Sequence, residues 1–248
     1  MSTLQSHPRL VAFIDERIIK REPTTSIFVG CCLFGRERWL ALCPRESKVG
    51  QVRRKRRLEA IDELLNALPG AAVLGYANLP NALFSPGEID GTADILEMSR
   101  TDNIWSQAVA FTVVTGLAWL HHSDLLPGLA DLYYDRKDLT VSHRARFESL
   151  FWQNLPKIAR EAVAKDPSRF RTDASQFRFG IIQGVQKPAP GLQPDPFQRG
   201  TNLAHHFCTQ AEALIKRGST GRILVKDRTE DICATITKFT GTPYPKLE

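Results

Sequence analysis

The chain has 248 residues, room for one large domain or two small ones. With 42% hydrophobic and 24% charged residues it has the composition of an ordinary globular protein with a sizeable core. The net charge of +6 suits a polyanionic partner without requiring one. Five cysteines, an odd number with no C-x-x-C pair, argue against a disulfide framework or a zinc ribbon. They read as reduced cytosolic thiols, with Cys31 and Cys32 buried in a strand. "MSTLQSHPRL" has no apolar signal core, which argues against secretion. The longest apolar stretch, Ile104 to His122, contains Ser106, Gln107 and Gly116 and is flanked by aspartates, so it reads as a buried helix rather than a membrane span. A cytoplasmic protein without a membrane partner is expected, and nothing in the sequence fixes its oligomeric state.

The first element is "LVAFIDERI", an apolar strand-like run that meets two adjacent acids, Asp15 and Glu16. "TTSIFVGCCLFG", Thr24 to Gly35, and "ERWLALCP", Glu37 to Pro44, follow with Gly35 as a turn between them, so three consecutive strands are expected. From Glu46 to Leu68, Val52, Leu58, Ile61, Leu64, Leu65 and Leu68 recur at helical spacing until Pro69-Gly70. "AAVLGYANL" is a strand. A polar segment with glycine spans Asn81 to Thr92, and Asp102-Asn103 caps a helix to about Leu120. "GLADLYYD" is a strand ending on Asp135. The run from Val141 to Lys165 is a helix expected to break near Pro156, and Gln176 to Gln186 is a strand. "PFQRGTNLAHHFCTQAEALIKRG" is one amphipathic helix closed by Gly218, and "RTEDICATITKF" is the last.

A meander followed by alternating helix and strand implies a mixed sheet with helices on its faces. That order is similar to the RNase H-like α/β fold, in which a central first strand carries a catalytic aspartate. A single domain over 1–248 is the economical organisation, with a helical insertion at about 81–125.

Asp15 and Asp135 both terminate an apolar run. Two carboxylates at the tips of neighbouring strands can share divalent cations, and two such ions about 4 Å apart stabilise the attacking and leaving oxygens of a phosphodiester. The plainer alternative is that both aspartates start turns. Glu16 points to the opposite face from Asp15 if the strand persists, because side chains alternate. "RRKRR", Arg53, Arg54, Lys55, Arg56 and Arg57, is the strongest charge cluster. It reads as phosphate contacts, a solvated helix face or a nuclear localisation signal. "SRFRTDASQFRFG" interleaves Arg with Phe, which suits either base stacking or the buried face of a strand.

"AFIDERI" with "SIFVGCCLFG" resembles the opening of a widespread bacterial family of unknown function. Its members begin with a strand reading roughly Tyr-Ile-Asp-Glu-Ser-Gly. A Glu-x-Lys element, a later strand ending in Asp and a C-terminal helix opening on Gln and then Ala-Asp-Leu follow. That family is placed in the RNase H-like superfamily, and its members are suspected nucleases. The resemblance implies that Asp15 and Glu16 match the acid pair, with Arg17 where Ser is usual. Glu46 and Lys48 of "RESKV" match Glu-x-Lys, Asp135 matches the strand Asp and Gln198 the helix Gln. Asn202 stands where the family has Asp, which removes one negative charge from a metal site. His205, at i+3 from Asn202, sits beside it and is placed to protonate a leaving group or position water. As a member of an adjacent His pair on a half-buried helix, it also reads as an ordinary surface histidine.

The expectation is therefore a nuclease that uses Mg²⁺ or Mn²⁺ to hydrolyse phosphodiester bonds of DNA or RNA. Asp15, Glu46, Asp135 and Asn202 are the expected ligands, His205 completes the site, and Lys48 offsets charge near the phosphate. The alternative is an RNase H-like domain that has lost its site and serves as a non-catalytic nucleic-acid-binding or protein-interaction scaffold. A metal-independent hydrolase using a His nucleophile or base is a third possibility, but no G-x-S-x-G motif supports it.

Overall fold

The computed structural model describes residues 9–46, 53, 56–84, 93–122, 129–135, 141–165, 178–189 and 191–240. They form an α/β fold: a six-stranded mixed sheet of RNase H-like topology with helices on both faces. The strands are β1 (Leu10–Arg21), β2 (Thr24–Gly35), β3 (Gly70–Pro80), β4 (Leu129–Asp135), β5 (Arg178–Val185) and β6 (Ile223–Asp227), in the order β5-β4-β1-β2-β3-β6. β1, β2 and β3 form an antiparallel meander. β4 runs parallel to β1, β5 parallel to β4 and β6 parallel to β3.

β2 is buried without interruption from Ile27 to Phe34. A strand covered by helices on both faces has no solvent side, so its sequence is a continuous apolar run rather than an alternation. On one face, α3 (Ala93–His122), α4 (Val141–Lys165) and α7 (Thr229–Thr240) pack through Val109, Val113, Leu155, Ile158 and Ile232 against Ala12, Ile14, Val29 and Leu33. On the other, α1 (Arg36–Glu46), α2 (Arg57–Ala67), α5 (Pro196–Cys208) and α6 (Ala211–Arg217) pack through Trp39, Ile61, Leu65, Phe207 and Leu214 against Val11, Phe13, Cys32 and Phe34.

Six elements differ from the sequence expectation. The segment expected as a third strand, Glu37 to Pro44, lies within helix α1. Both edges of β2 are taken, by β1 and β3, so no edge remains beside it for the segment that follows Gly35. As a helix it buries Trp39 between Phe13 and Phe34, each at 4.8 Å between ring centroids, and the Trp39 indole donates to the Pro196 carbonyl at 3.0 Å. Glu46 ends α1, and α2 starts only at Arg57, so the expected single helix from Glu46 is two elements. α3 begins at Ala93, which places Asp102-Asn103 inside the helix rather than at its cap. α4 passes through Pro156 without a break, because burial of Leu155, Ile158 and Ala159 against α3 offsets the one lost backbone bond. The expected C-terminal amphipathic helix is also two, α5 and α6. A short edge strand, β6, follows the left-handed Gly218 and Gly221 and had no counterpart among the predicted elements.

Asp131 is fully buried in β4. Arg9 donates to both its carboxylate oxygens at 2.7 and 3.1 Å, and Arg36 lies at 3.6 Å. β5 carries a bulge opposite it, and the Ile181 amide released by that bulge donates to Asp131 Oδ1 at 3.1 Å. One carboxylate thus fastens the entry to β1, the start of α1 and the edge strand. Asp131→Ala is expected to lower unfolding free energy by about 1–3 kcal/mol, the range for losing hydrogen bonds to a charged group, because the surviving arginines can turn to water while the Ile181 amide loses its acceptor. Denaturant unfolding checks this, and a loss below about 1 kcal/mol would contradict it.

Candidate active site

The site is set by where β4 stops. Its pairing with β1 is registered through Ile14–Tyr134, and Asp135 is its last residue. β1 instead continues to Arg21, paired with β2 along its whole length. Asp15 is therefore not at a strand tip, as the sequence suggested. It lies inside β1 one residue past the last registered pair, beside the end of β4. Alternation puts Asp15 and Asp135 on the same face as Phe13 and Tyr133, the face covered by α5. Glu16, buried like Asp15, points to the face of α3 and α4, as alternation predicts. Asp15 is 6% exposed and Asp135 is half-buried.

α5 is held over this point from both ends. Its N-cap, Asp195, accepts from the amides of Phe197 and Gln198 at 2.8 Å, and the Gln198 side chain accepts from the Asp195 amide at 2.7 Å, a capping box with Pro196 in the first turn. Gln198 Nε2 also donates to the Gln186 carbonyl, which ties the helix start to the end of β5. Gln198 thus orients α5 rather than facing the acids. Further along, Gly200 lies on Phe13, and a Cβ there would fall 2.3 Å from the ring. Gly30, the register partner of Asp15, lies under Ala204 and Cys208, where a Cβ would sit 3.0 Å from the Ala204 carbonyl oxygen. Two glycines on opposite sides of the contact let the helix descend onto β1 and β2.

This descent brings His205 Nδ1 to 3.1 Å from Asp15 Oδ2. The hydrogen bond to Asp15 raises the His205 pKa above the ordinary imidazole value. Partial burial opposes it, the charges of Asp15 and Asp135 add to it, and Arg57 works against it. The next residue behaves in the opposite way. Burial, Arg57 and His205 push His206 down to about 4. The two rings meet edge-on at 5.7 Å between centroids.

No protein-family model matches the chain, and no curated protein matches it. Of the expected site residues, Asp15, Asp135 and His205 are brought together. Asn202 is exposed on α5, one turn before His205. Glu46 is the last residue of α1, and its side chain lies outside the described residues, as do Lys48, Arg54 and Lys55. Arg53 and Arg56 are exposed, whereas Arg57, the first residue of α2, is half-buried and acts on both histidines. Among the described residues, no three His, Cys, Asp or Glu side chains converge closely enough to hold a metal by themselves. Also among the described residues, no helix is long and apolar enough to cross a membrane. Cys31, Cys32, Cys208 and Cys233 are buried, and burial raises the thiol pKa of Cys31 and Cys32, so neither of those two is a thiolate nucleophile near neutral pH.

Sequence reasoning missed how Arg57 differs from Arg53 and Arg56 within "RRKRR", and the difference between the two histidines. An amphipathic reading of α5, with Leu203, Ala204 and Phe207 inward, would have placed His206 nearer the core than His205.

The histidines predict pH effects of opposite sign. His206 resists protonation in the folded chain, so the unfolded chain binds more protons between about pH 4 and the ordinary imidazole value near 6.5, and its contribution to stability is lost as pH falls through that window. His205 gains its partner when charged, so its contribution is full below about pH 6.5 and fades as pH rises through the raised folded value. Denaturant unfolding of His206→Asn from pH 7 to 4.5 is expected to show a shallower acid loss than the wild type. His205→Ala should show its largest deficit at the acid end. Parallel curves for all three proteins would contradict the assignment.

Proposed function

We propose that the protein is a divalent-metal-dependent nuclease that hydrolyses phosphodiester bonds of DNA or RNA in the cytoplasm. The observation that carries this reading is the placement of Asp15 beside Asp135 on the two central parallel strands, under α5, with His205 on Asp15. The donor set fits the ion. Mg²⁺ and Mn²⁺ favour oxygen ligands, and Mg²⁺ in phosphate enzymes is held by one or two carboxylates while water and substrate phosphate supply the rest. Two side-by-side carboxylates meet that requirement without a third His, Cys, Asp or Glu. In this reading Asp15 and Asp135 hold the cation, and Glu46 and the Asn202 amide oxygen complete its surroundings. When bound, the ion supplies charge stabilisation to the attacking and leaving oxygens.

The side chains have separate tasks. Asp15 fixes the His205 ring by accepting at Nδ1, which leaves Nε2 on an exposed edge to hand a proton to a leaving oxygen or to orient water. Positive charge from the "RRKRR" segment and Lys48 offsets the phosphates. The family resemblance of the acid pair and of the strand ending in Asp135 points the same way.

A second reading, a nucleic-acid-binding or protein-interaction scaffold without activity, is favoured by Asn202. It is neutral where the family has an acid, and it is exposed on α5.

Purified protein is expected to cleave a labelled DNA or RNA strand with Mg²⁺ or Mn²⁺ and not with EDTA. Asp15→Asn and Asp135→Asn should each slow cleavage about a hundredfold or more, the few kcal/mol associated with a metal's charge stabilisation. Metal-dependent cleavage that survives in Asp15→Asn would defeat the nuclease assignment. Nucleic-acid binding with neither cleavage nor cation-dependent stabilisation would support the scaffold.

A further inference from the structure

Two buried nitrogens beside this site have no hydrogen-bond partner among the described residues. Arg57 Nε and His206 Nδ1 are both shielded from solvent, and neither makes a hydrogen bond among the described residues. Buried polar atoms in folded proteins are nearly always satisfied, and α2 and α5 pack together on this face of the sheet, so the two orphans ask for a ligand or an ordered water. They come from different elements, α2 and α5, yet the Arg57 guanidinium is close enough to act electrostatically on both His206 and His205. Arg57 forms no ion pair among the described residues, unlike Arg9, Arg217 and Arg228, each of which has a carboxylate. Arg57 also opens α2, and the N-cap residue, Arg56, makes no side-chain cap bond, so the positive end of an 11-residue helix adds to the same place. A group that accepts from both nitrogens and carries negative charge satisfies all of these features at once. Water satisfies the nitrogens but not the charge.

We propose that Arg57 and His206 form a phosphate-holding subsite next to Asp15 and Asp135, taking the non-bridging oxygens of a nucleic-acid phosphodiester. It rests on reading the neighbouring carboxylates as a phosphodiester site, and it makes Arg57 the member of the basic cluster that holds the backbone at the acids. Arg57 Nε–H and, in the tautomer that carries it, His206 Nδ1–H donate to the phosphate. The guanidinium contributes the planar, charge-assisted geometry that lysine lacks.

The test uses the full chain in EDTA, so that no metal contributes, with inorganic phosphate and an eight-nucleotide thymidine oligomer as probes. In protein labelled with ¹⁵N-histidine, inorganic phosphate is expected to move the His206 Nδ1 resonance. Arg57→Met, which keeps the apolar stem, should weaken oligomer binding about tenfold and reduce the log–log salt slope by about 1. Arg57→Lys should restore the slope but only part of the affinity, and it serves if Arg57→Met does not fold. A His206 signal unmoved by phosphate, no oligomer binding by the wild type, or wild-type affinity and slope in the Arg57 variants would each overturn the subsite. Failure here separates from failure of the nuclease reading. Arg57-dependent binding without metal-dependent cleavage leaves the subsite and removes the enzyme, and cleavage that is indifferent to Arg57 does the reverse.

Discussion

The close seating of α5 on β1 and β2 is the constraint on which the site depends. It is made by absence of side chain at two places. Gly200 leaves room for the Phe13 ring, and Gly30 leaves room for the backbone at Ala204 and the Cβ of Cys208. A methyl group at either position would force the helix or the ring to move, and interiors packed to crystal density have little slack for that. Because Gly30 is the register partner of Asp15, the same contact that lowers the helix also carries His205 to the aspartate. Core packing and the proposed site draw on one interface. The Phe13 ring that supports Gly200 also meets Trp39 and Tyr133, and Tyr133 stacks on Phe197 in the first turn of α5.

Charge is distributed along β4 in two places with different surroundings. Asp131 is wholly buried, and its two arginines and the bulge amide neutralise it and pair it, as a buried carboxylate requires. Asp135, four residues on, lies where the strand ends and the sheet opens, half-buried beside Asp15. The first holds the fold together, and the second is the one proposed to bind a cation. Their sequence context is nearly the same, an aspartate in an apolar strand, and only the location of the partners distinguishes them.

Much of the architecture is legible in the sequence because burial on both faces writes itself as unbroken apolar runs. "LVAFI", "SIFVGCCLF" and "LADLYY" each became a strand, whereas the third strand of the meander is "AAVLGYANL", in β3, and not the segment after Gly35. The segment from Glu37 to Pro44 was not legible as a strand or a helix by apolar content alone. What decided it was that β3, about 35 residues later, took the free edge of β2. The break between α5 and α6 left no mark, since the amphipathic pattern runs through Thr209-Gln210. At the site, Asp15, Asp135 and His205 were legible from strand-then-acid patterns and motif order. Arg57 was not, because nothing in "RRKRR" says which of five cations a helix start will turn toward a histidine pair on another element. Asp131 was also missed, though an acid inside a strand expected to be buried is itself a sign that a cation must be near.

The central claim is that Asp15 and Asp135 share a divalent cation beneath α5. The most direct test is a crystal of the protein soaked in Mn²⁺, with the anomalous signal used to place the ion. The account predicts a peak within about 2.2 Å of an oxygen of both carboxylates. Mn²⁺ found only elsewhere on the molecule, or carboxylates separated by more than about 10 Å where ions of a paired site lie about 4 Å apart, would contradict it.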